Sequence, residues 1–197
     1  MNTYLVSSAV PSSKEGKMTS HNFQTLRGAV IAESRATTWA GAVEEWEVVA
    51  LEEDPTATGV CVCGNTGLRY LYTIRNATTG QQLFPIGSVC VEYFEVAELT
   101  ESVSALRRLF DLRAAFIDRK PVTLTTDYFS RALLADLWEH GAFPDNDFNR
   151  GDGERDYQFL LDWFNSRSEP NTKERQKIWV LINKAIRSFV LADERLS

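Results

Sequence analysis

Hydrophobic and polar positions divide the chain into four stretches. Residues 1–20 show little apolar periodicity and predict a flexible N-terminal arm. From His21 apolar residues recur at helical spacing, and between Val60 and Phe94 they alternate as in strands. After Glu95 the spacing is helical almost to the end. The pattern predicts an α+β protein with an N-terminal helix, a small β hairpin or sheet, and a C-terminal helical bundle.

The first folded module is expected over residues 21–95. Phe23, Leu26 and Val30 lie on one face of its predicted helix. Residues 68–74 alternate as a strand with one buried face, residues 76–80 form the turn, and residues 83–86 return as a second strand. The cysteines lie on either side of this hairpin, so the module resembles a zinc ribbon.

The second module is expected over residues 96–197 as a bundle of about four helices. Pro121 ends the first helix, and Asp127 is predicted to cap the second. The third runs from about Glu154, and Asn171 or Thr172 opens the fourth. In the first helix the predicted apolar stripe comprises Val103, Leu106, Leu109, Phe110, Ala114 and Ile117.

Composition narrows the classes of partner. The 197 residues are 44% hydrophobic, with a formal net charge of -6. This acidic balance argues against nonspecific phosphate binding over a broad surface, although a local basic patch is allowed. No apolar run reaches the 18 to 20 or so residues that span a bilayer, and Met1–Val10 does not resemble a signal peptide. The expectation is a cytoplasmic protein with no membrane partner.

The three cysteines carry the only specific chemistry in the sequence. Cys61 and Cys63 precede Gly64 in a tight turn, and Cys90 follows the small residues Gly87 and Ser88. The intervening hairpin can bring three thiolates together, and Zn²⁺ takes four tetrahedral nitrogen or sulfur ligands. A structural zinc site is therefore predicted. Three apolar core thiols, or a redox or nucleophilic cysteine, are the alternatives.

A fourth zinc ligand is not specified by spacing. His21, just before the first helix, can fold back on the hairpin and is the preferred candidate. His140, Glu92 and a water molecule are the alternatives.

Residues 145–156 superficially resemble a calcium loop. The sixth position, where glycine is required, is Arg150, and the twelfth is Asp156 instead of glutamate. An acidic turn that caps the next helix is the better interpretation.

No catalytic set emerges from the sequence. The chain has two histidines and lacks the nucleophile elbow, the phosphate-binding glycine loop and the His-Glu-x-x-His motif. We therefore expect a protein that is not an enzyme.

Two surfaces are candidates for partner binding. Arg69 and Arg75 alternate with Tyr70 and Tyr72 and can contact phosphates and bases, although burial of the tyrosines is favoured. The densest acidic cluster offers negative charge to a partner. Its members are Glu44, Glu45, Glu47, Glu52, Glu53 and Asp54.

The cysteine pattern resembles one found in small uncharacterised proteins of bacteriophages and mobile elements. The residues that carry the resemblance are Cys61-Val62-Cys63-Gly64 and Pro85-Ile86-Gly87-Ser88-Val89-Cys90, with a weaker likeness over Asp156–Asn165. The resemblance implies a phage or mobile-element origin and a metal-binding role for Cys61, Cys63 and Cys90, without implying an activity.

Together these features predict a non-enzymatic, zinc-stabilised accessory protein in the host cell cytoplasm. It would bind a host protein or nucleoprotein complex and inhibit a defence system, as anti-CRISPR proteins do, or a nucleic-acid-processing complex. The alternative is a nucleic-acid-binding zinc module that uses Arg69, Arg75 and the hairpin tyrosines.

Overall fold

The computed structural model describes residues 20–94 and 97–196. Only Ser20 of the predicted arm 1–20 falls within the described residues. An N-terminal helix, a small antiparallel sheet and a set of C-terminal helices follow one another along the chain. The α+β fold class predicted from the sequence is therefore confirmed.

The chain forms two compact units. Among the described residues, the first contains residues 20–47 together with Asp54–Phe94, and the second contains Val48–Glu53 together with residues 97–196. The six-residue segment Val48–Glu53, which the sequence placed in the first module, thus groups with the C-terminal helices.

The first unit is built from short helices and strands. A 3₁₀ turn over Glu92–Phe94 closes it. Its elements are α1 (His21–Ala32), α2 (Trp39–Val43), the start of β1 (Trp46–Glu53), β2 (Gly59–Val60), β3 (Thr66–Leu68), β4 (Tyr70–Asn76), β5 (Gln82–Ile86) and α3 (Ser88–Val91).

Two small sheets organise these strands. One has the order β1-β4-β5, and the other pairs β2 with β3. The β4-β5 pair is antiparallel, with Tyr72 opposite Ile86 and Ile74 opposite Leu83. The second sheet places Gly59 opposite Leu68, immediately before the cysteine turn.

The core of the first unit combines one face of α1 with the inner face of β4. Ser20 caps α1 by accepting a hydrogen bond from the Phe23 N–H. Phe23 then contacts the rings of Trp39 and Tyr93 edge-on, with centroids 5.2 and 5.0 Å apart. On β4, Tyr72 and Ile74 are buried, as the alternation predicts, whereas Tyr70 is only half-buried. Leu68, predicted on the same strand, is half-buried at the end of β3.

The second unit consists of helices and the rest of β1. A π-helical segment, Leu181–Ile186, joins its last two helices without a break. Its helices are α4 (Ala97–Ile117), α5 (Arg131–Glu139), α6 (Glu154–Asn165), α7 (Thr172–Val180) and α8 (Arg187–Ala192).

The buried face of α4 differs from the predicted stripe. Leu106 and Leu109 are buried as expected, but Leu112 and Phe116 complete the core face, while Ile117 is 62% exposed. Phe110, Ala114 and Ile117 instead line an open groove, together with Glu53 and Arg113. The apolar residues of α4 occupy more than one face, so tertiary packing selects between them.

Two predicted helix starts change in detail. Ser130, and not Asp127, caps α5, since its side chain accepts a hydrogen bond from the Leu133 N–H. Before α6, the Asp145 carboxylate accepts a hydrogen bond from the Gly153 N–H at 2.8 Å. This contact fixes the N-cap residue Gly153, but no side chain caps the first turn of α6, so the predicted acidic cap is absent there. The described carboxylates form no cluster suited to a metal ion in this loop.

The C-terminal tail is held by a network of buried charges. The Arg195 guanidinium contacts both Asp136 oxygens, at 2.9 and 3.0 Å, and Asp193 at 2.7 Å. The Leu51 N–H donates to the Arg195 carbonyl at 2.9 Å, and Leu51 forms a parallel bridge with Leu196. These contacts join the tail to β1.

Across the described residues, no helix combines the length and the apolar character needed to cross a membrane.

Candidate metal centre

The turn between β2 and β3 carries two of the three cysteines. The Cys61 N–H donates to the Asn65 carbonyl at 2.7 Å, and the Gly64 N–H donates to the Cys61 carbonyl at 2.7 Å. Gly64 has φ +92°, a conformation that glycine adopts without steric cost. The Cys-x-Cys-Gly sequence therefore makes a tight turn that holds Cys61 and Cys63 close together.

The third cysteine enters from the other end of the hairpin. Cys90 lies in α3, directly after β5, and the Val62 N–H donates to the Pro85 carbonyl at 2.9 Å, which ties the cysteine turn to β5. At Gly87 a Cβ atom would lie 2.8 Å from Leu68 Cδ2, and the Gly87 N–H donates to Cys61 Sγ at 3.3 Å. A small residue at this position allows the backbone to approach the sulfur.

These elements bring the three sulfur atoms together. Cys61 Sγ and Cys90 Sγ are 3.6 Å apart, and Cys90 Sγ and Cys63 Sγ are 3.3 Å apart. All three sulfurs lie within 4.8 Å of one another, and the three residues are 2–3% exposed. Zinc–sulfur bonds of about 2.3 Å in tetrahedral geometry separate sulfur atoms by about 3.8 Å. The cluster can hold a metal ion after small side-chain adjustments.

The electrostatics of the cluster favour a cation. The pKa of the Cys61 thiol is lowered to about 5 by the hydrogen bond from Cys90 and by backbone N–H groups of Cys63 and Gly87, against the opposing effect of burial. Burial raises the pKa of Cys63, and the hydrogen bond to Cys61 raises that of Cys90, assisted by burial. The cluster thus accommodates one negative charge, and ionising all three thiols requires a compensating positive ion.

The predicted fourth ligand lies on the helix whose first turn contacts the cysteine turn, but it does not join the cluster. His21 is exposed in the first turn of α1, and the adjacent Asn22 donates a side-chain hydrogen bond to the Asn65 side chain of the cysteine turn. The described groups that can bind one metal ion together are the three cysteines, without His21. The assignment of His21 stays a prediction.

The other candidates for the fourth ligand are placed differently. His140 belongs to the second unit, where its Nδ1 atom lies 2.8 Å from the Asp136 carbonyl oxygen. Glu92 is exposed at the start of the 3₁₀ turn after α3.

Sequence reasoning missed Tyr93, which lies three residues after Cys90. Burial raises the pKa of its hydroxyl, and ionisation of Cys90 or Cys63 would raise it further. Tyr93 therefore lies within electrostatic range of the sulfurs. The helical spacing of three residues was the signal that could have identified it.

The hairpin residues proposed for nucleic-acid contact do not form a free stacking surface. Arg75 pairs with Glu47 at 2.6 Å, and Tyr72 is 2% exposed. The Arg69 guanidinium lies 5.6 Å from the centroid of the Tyr70 ring.

The acidic residues are distributed between the two units. Glu52 and Glu53 belong to the second unit and the others to the first. The Glu45 carboxylate accepts hydrogen bonds from Asn76 Nδ2 and from the backbone N–H groups of Arg35 and Ala36.

Two further acidic residues differ in what they contact. Asp54 accepts hydrogen bonds from the backbone and hydroxyl groups of Thr56 and Thr58, whereas Glu44 is exposed after α2. Glu45 and Asp54 therefore stabilise local loops.

No protein-family model, curated protein or solved structure matches this chain.

Proposed function

We propose that the chain is a zinc-stabilised binding protein without catalytic activity. The observation that carries this proposal is the set of three buried sulfur atoms, all within 4.8 Å of one another. A buried thiolate cluster is a set of soft ligands, which zinc accepts readily. The metal holds the cysteine turn against α3 and so fixes the surface of the first unit.

A structural metal fits this cluster better than apolar packing does. Apolar core thiols need no aligned amides, whereas Cys61 Sγ accepts a hydrogen bond from the backbone N–H of Gly87 at 3.3 Å. Such bonds stabilise thiolates. A structural zinc site contributes on the order of 10 kcal/mol of apparent folding free energy.

His21 is proposed to supply the fourth ligand. Support comes from the side-chain hydrogen bond between Asn22 and Asn65, which places the first turn of α1 beside the cysteine turn. The exposed His21 side chain is free to change its rotamer when a metal arrives.

Elemental analysis of the purified protein tests the metal site directly. One zinc ion per chain is expected, and it is lost in each of the variants Cys61→Ser, Cys63→Ser and Cys90→Ser. Val89→Ala is the matched control, because Val89 is next to Cys90 but is 50% exposed. A metal-free wild type whose stability does not change with added zinc would overturn the proposal.

A comparison of two histidine variants tests the fourth ligand separately. His21→Ala should lower zinc affinity by more than the roughly 10- to 100-fold that loss of an outer-shell partner costs, whereas His140→Ala should leave it unchanged. Equal affinities for the two variants would remove His21 from the site and leave the three-cysteine centre in place.

The biological role is proposed to be that of a phage or mobile-element accessory protein acting in the host cell cytoplasm. It would bind a host protein or a nucleoprotein complex and inhibit a defence or nucleic-acid-processing system. Support comes from the resemblance of the cysteine motif to proteins of such elements. The hairpin alternative with Arg69 and Arg75 has less support, because Arg75 is already paired with Glu47.

Affinity capture from host lysate, with and without nuclease, tests this role. A partner recovered by the metal-loaded wild type but not by Cys90→Ser is expected. Recovery of no specific partner by the wild type would contradict the proposed role, while leaving the metal analysis intact.

A further inference from the structure

The last long helical segment is basic, whereas the chain as a whole is acidic. Residues 172–192 form α7, the π-helical segment and α8 in unbroken succession. Five basic residues and one acidic residue lie in this segment of a protein whose formal net charge is -6. The basic residues are Lys173, Arg175, Lys177, Lys184 and Arg187.

Two charged side chains of this segment have partners within the second unit. Lys177 pairs with Asp156 at 2.8 Å and lies 4.4 Å from the centroid of the Phe159 ring. The Glu174 carboxylate accepts a hydrogen bond from the Asn171 N–H at 2.7 Å, as part of the capping box that starts α7. The only acidic residue of the segment is therefore used to begin the helix.

The remaining four basic side chains are exposed and define a surface. Within the described part of the chain, none of them forms an ion pair with a carboxylate. We call this surface the basic helix face, and its charged members are Lys173, Arg175, Lys184 and Arg187. A rise of 1.5 Å per residue separates the first and last of these by about 21 Å.

An aromatic side chain lies between the two pairs of charges. Trp179 is 56% exposed and the neighbouring Val180 is 42% exposed, although tryptophan normally buries its large apolar surface. Leu181, Ile182 and Ile186 pack on the opposite, buried side of the segment. The helix is thus anchored by its inner face and presents an indole between cations on its outer face.

A surface with four cations and an exposed indole matches a polyanion that also carries flat rings. We propose that the basic helix face binds single-stranded nucleic acid, with Trp179 stacked on a base and the four cations contacting phosphates on either side. Base–aromatic stacking together with phosphate contacts is the usual basis of single-strand binding without sequence preference. An acidic peptide would match the charges but would leave the exposed indole without a stacking partner.

A membrane surface is a poorer match for the same face. Interfacial helices bury a broad apolar face, whereas the exposed apolar residues here are Trp179, Val180 and Leu191, interspersed with charges. This inference lies beyond the metal site, because every residue of the basic helix face belongs to the second unit.

Fluorescence anisotropy with the full-length, metal-loaded protein and a labelled oligothymidine tests the proposal. Binding at about 50 mM salt is expected to weaken by about 50-fold at 200 mM, from four phosphate contacts at about 0.7 per charge in the logarithmic salt slope. Lys184→Glu/Arg187→Glu should abolish measurable binding. Trp179→Ala should weaken binding about tenfold with an unchanged salt slope.

A matched double variant controls for net charge. Arg27→Glu/Arg167→Glu makes the same charge change at exposed sites outside the face and should bind like the wild type. Circular dichroism and zinc content are measured for every variant, so that loss of binding is separated from loss of the helical fold and from loss of the metal site. The absence of binding at 50 mM salt, equal weakening by both double variants, or tighter binding to polyglutamate or to anionic phosphatidylserine vesicles would overturn the proposal.

Discussion

Replacing Arg195 by methionine should destabilise the second unit strongly. The side chains of Arg195, Asp136 and Asp193 are 17%, 13% and 5% exposed. Little solvent is therefore available to screen the charges of the two carboxylates. Arg195→Met keeps much of the apolar volume and removes the cation that, among the described residues, contacts both carboxylates. Removing one partner of a buried ion pair costs about 3–5 kcal/mol, and we expect about 3 kcal/mol because the guanidinium retains some solvent contact.

The assay is urea unfolding of the wild type and the variant at pH 7, supported by thermal melts. A loss of 3 kcal/mol lowers the melting temperature by about 6–12 °C for a chain of this size. Arg75→Met is the control: its ion pair with Glu47 is 50% and 47% exposed, so that variant should lose less than about 1 kcal/mol. Similar losses for the two variants would refute the reasoning.

The pH dependence of the same variant supplies a second test. Burial raises the pKa of Asp193, but the hydrogen bonds and charge of Arg195 outweigh it and bring the pKa below the ordinary value. The carboxylate therefore stabilises the folded wild type above about pH 4, and this contribution is lost as the pH falls through the lowered pKa. Without Arg195 burial dominates and the pKa rises, so the difference between variant and wild type should shrink from pH 7 to pH 4. A difference that grows on acidification would contradict this account.

Three further predictions follow from close packing, buried hydrogen bonds and metal ligation. Gly153→Ala should lower the free energy of unfolding in urea by more than about 2 kcal/mol, because the new Cβ would lie 2.0 Å from the Phe143 carbonyl oxygen. Gly28→Ala should raise it by about 0.5–1 kcal/mol, since nothing lies within 4 Å of the new Cβ. Asn76→Ala should lose about 2–3 kcal/mol in the same assay, because this fully buried side chain accepts hydrogen bonds from two backbone N–H groups and donates to Glu45. Zinc affinity, measured by competition with a chromogenic chelator, should fall from pH 7.5 to pH 5.5, because protons compete with the metal for the cysteine sulfurs. A pH-independent affinity would argue against thiolate ligation.

Local sequence patterns were sufficient to predict the cysteine cluster. Glycines beside the cysteines indicated tight turns, and strand alternation between them indicated a hairpin that returns. Both features depend on neighbouring residues, so a single sequence contains them. No spacing rule specifies a fourth ligand, because a ligand distant along the chain is positioned by tertiary packing and not by local sequence.

The core face of α4 was predicted incorrectly for a physical reason. Residues 105–117 offer apolar side chains on more than one side of the helix, and the choice between Phe116 and Ile117 is made by the helices that pack against it. The Arg195 network was not predicted either, because Asp136 lies 59 residues earlier in the chain. Net charge also concealed the basic helix face, since an average over the chain hides a local excess of one sign.

Because β1 begins in the first unit and ends in the second, the choice of boundaries matters when the protein is divided into fragments. A cut at residue 95, where the change in sequence periodicity suggests a boundary, would remove Val48–Glu53 from the unit to which it belongs. The C-terminal fragment would then lack Leu51, whose N–H group donates to the Arg195 carbonyl. Binding or stability measured on that fragment would report a damaged unit, whereas supplying residues 48–53 in trans as a peptide, or joining them by circular permutation, would restore the missing strand.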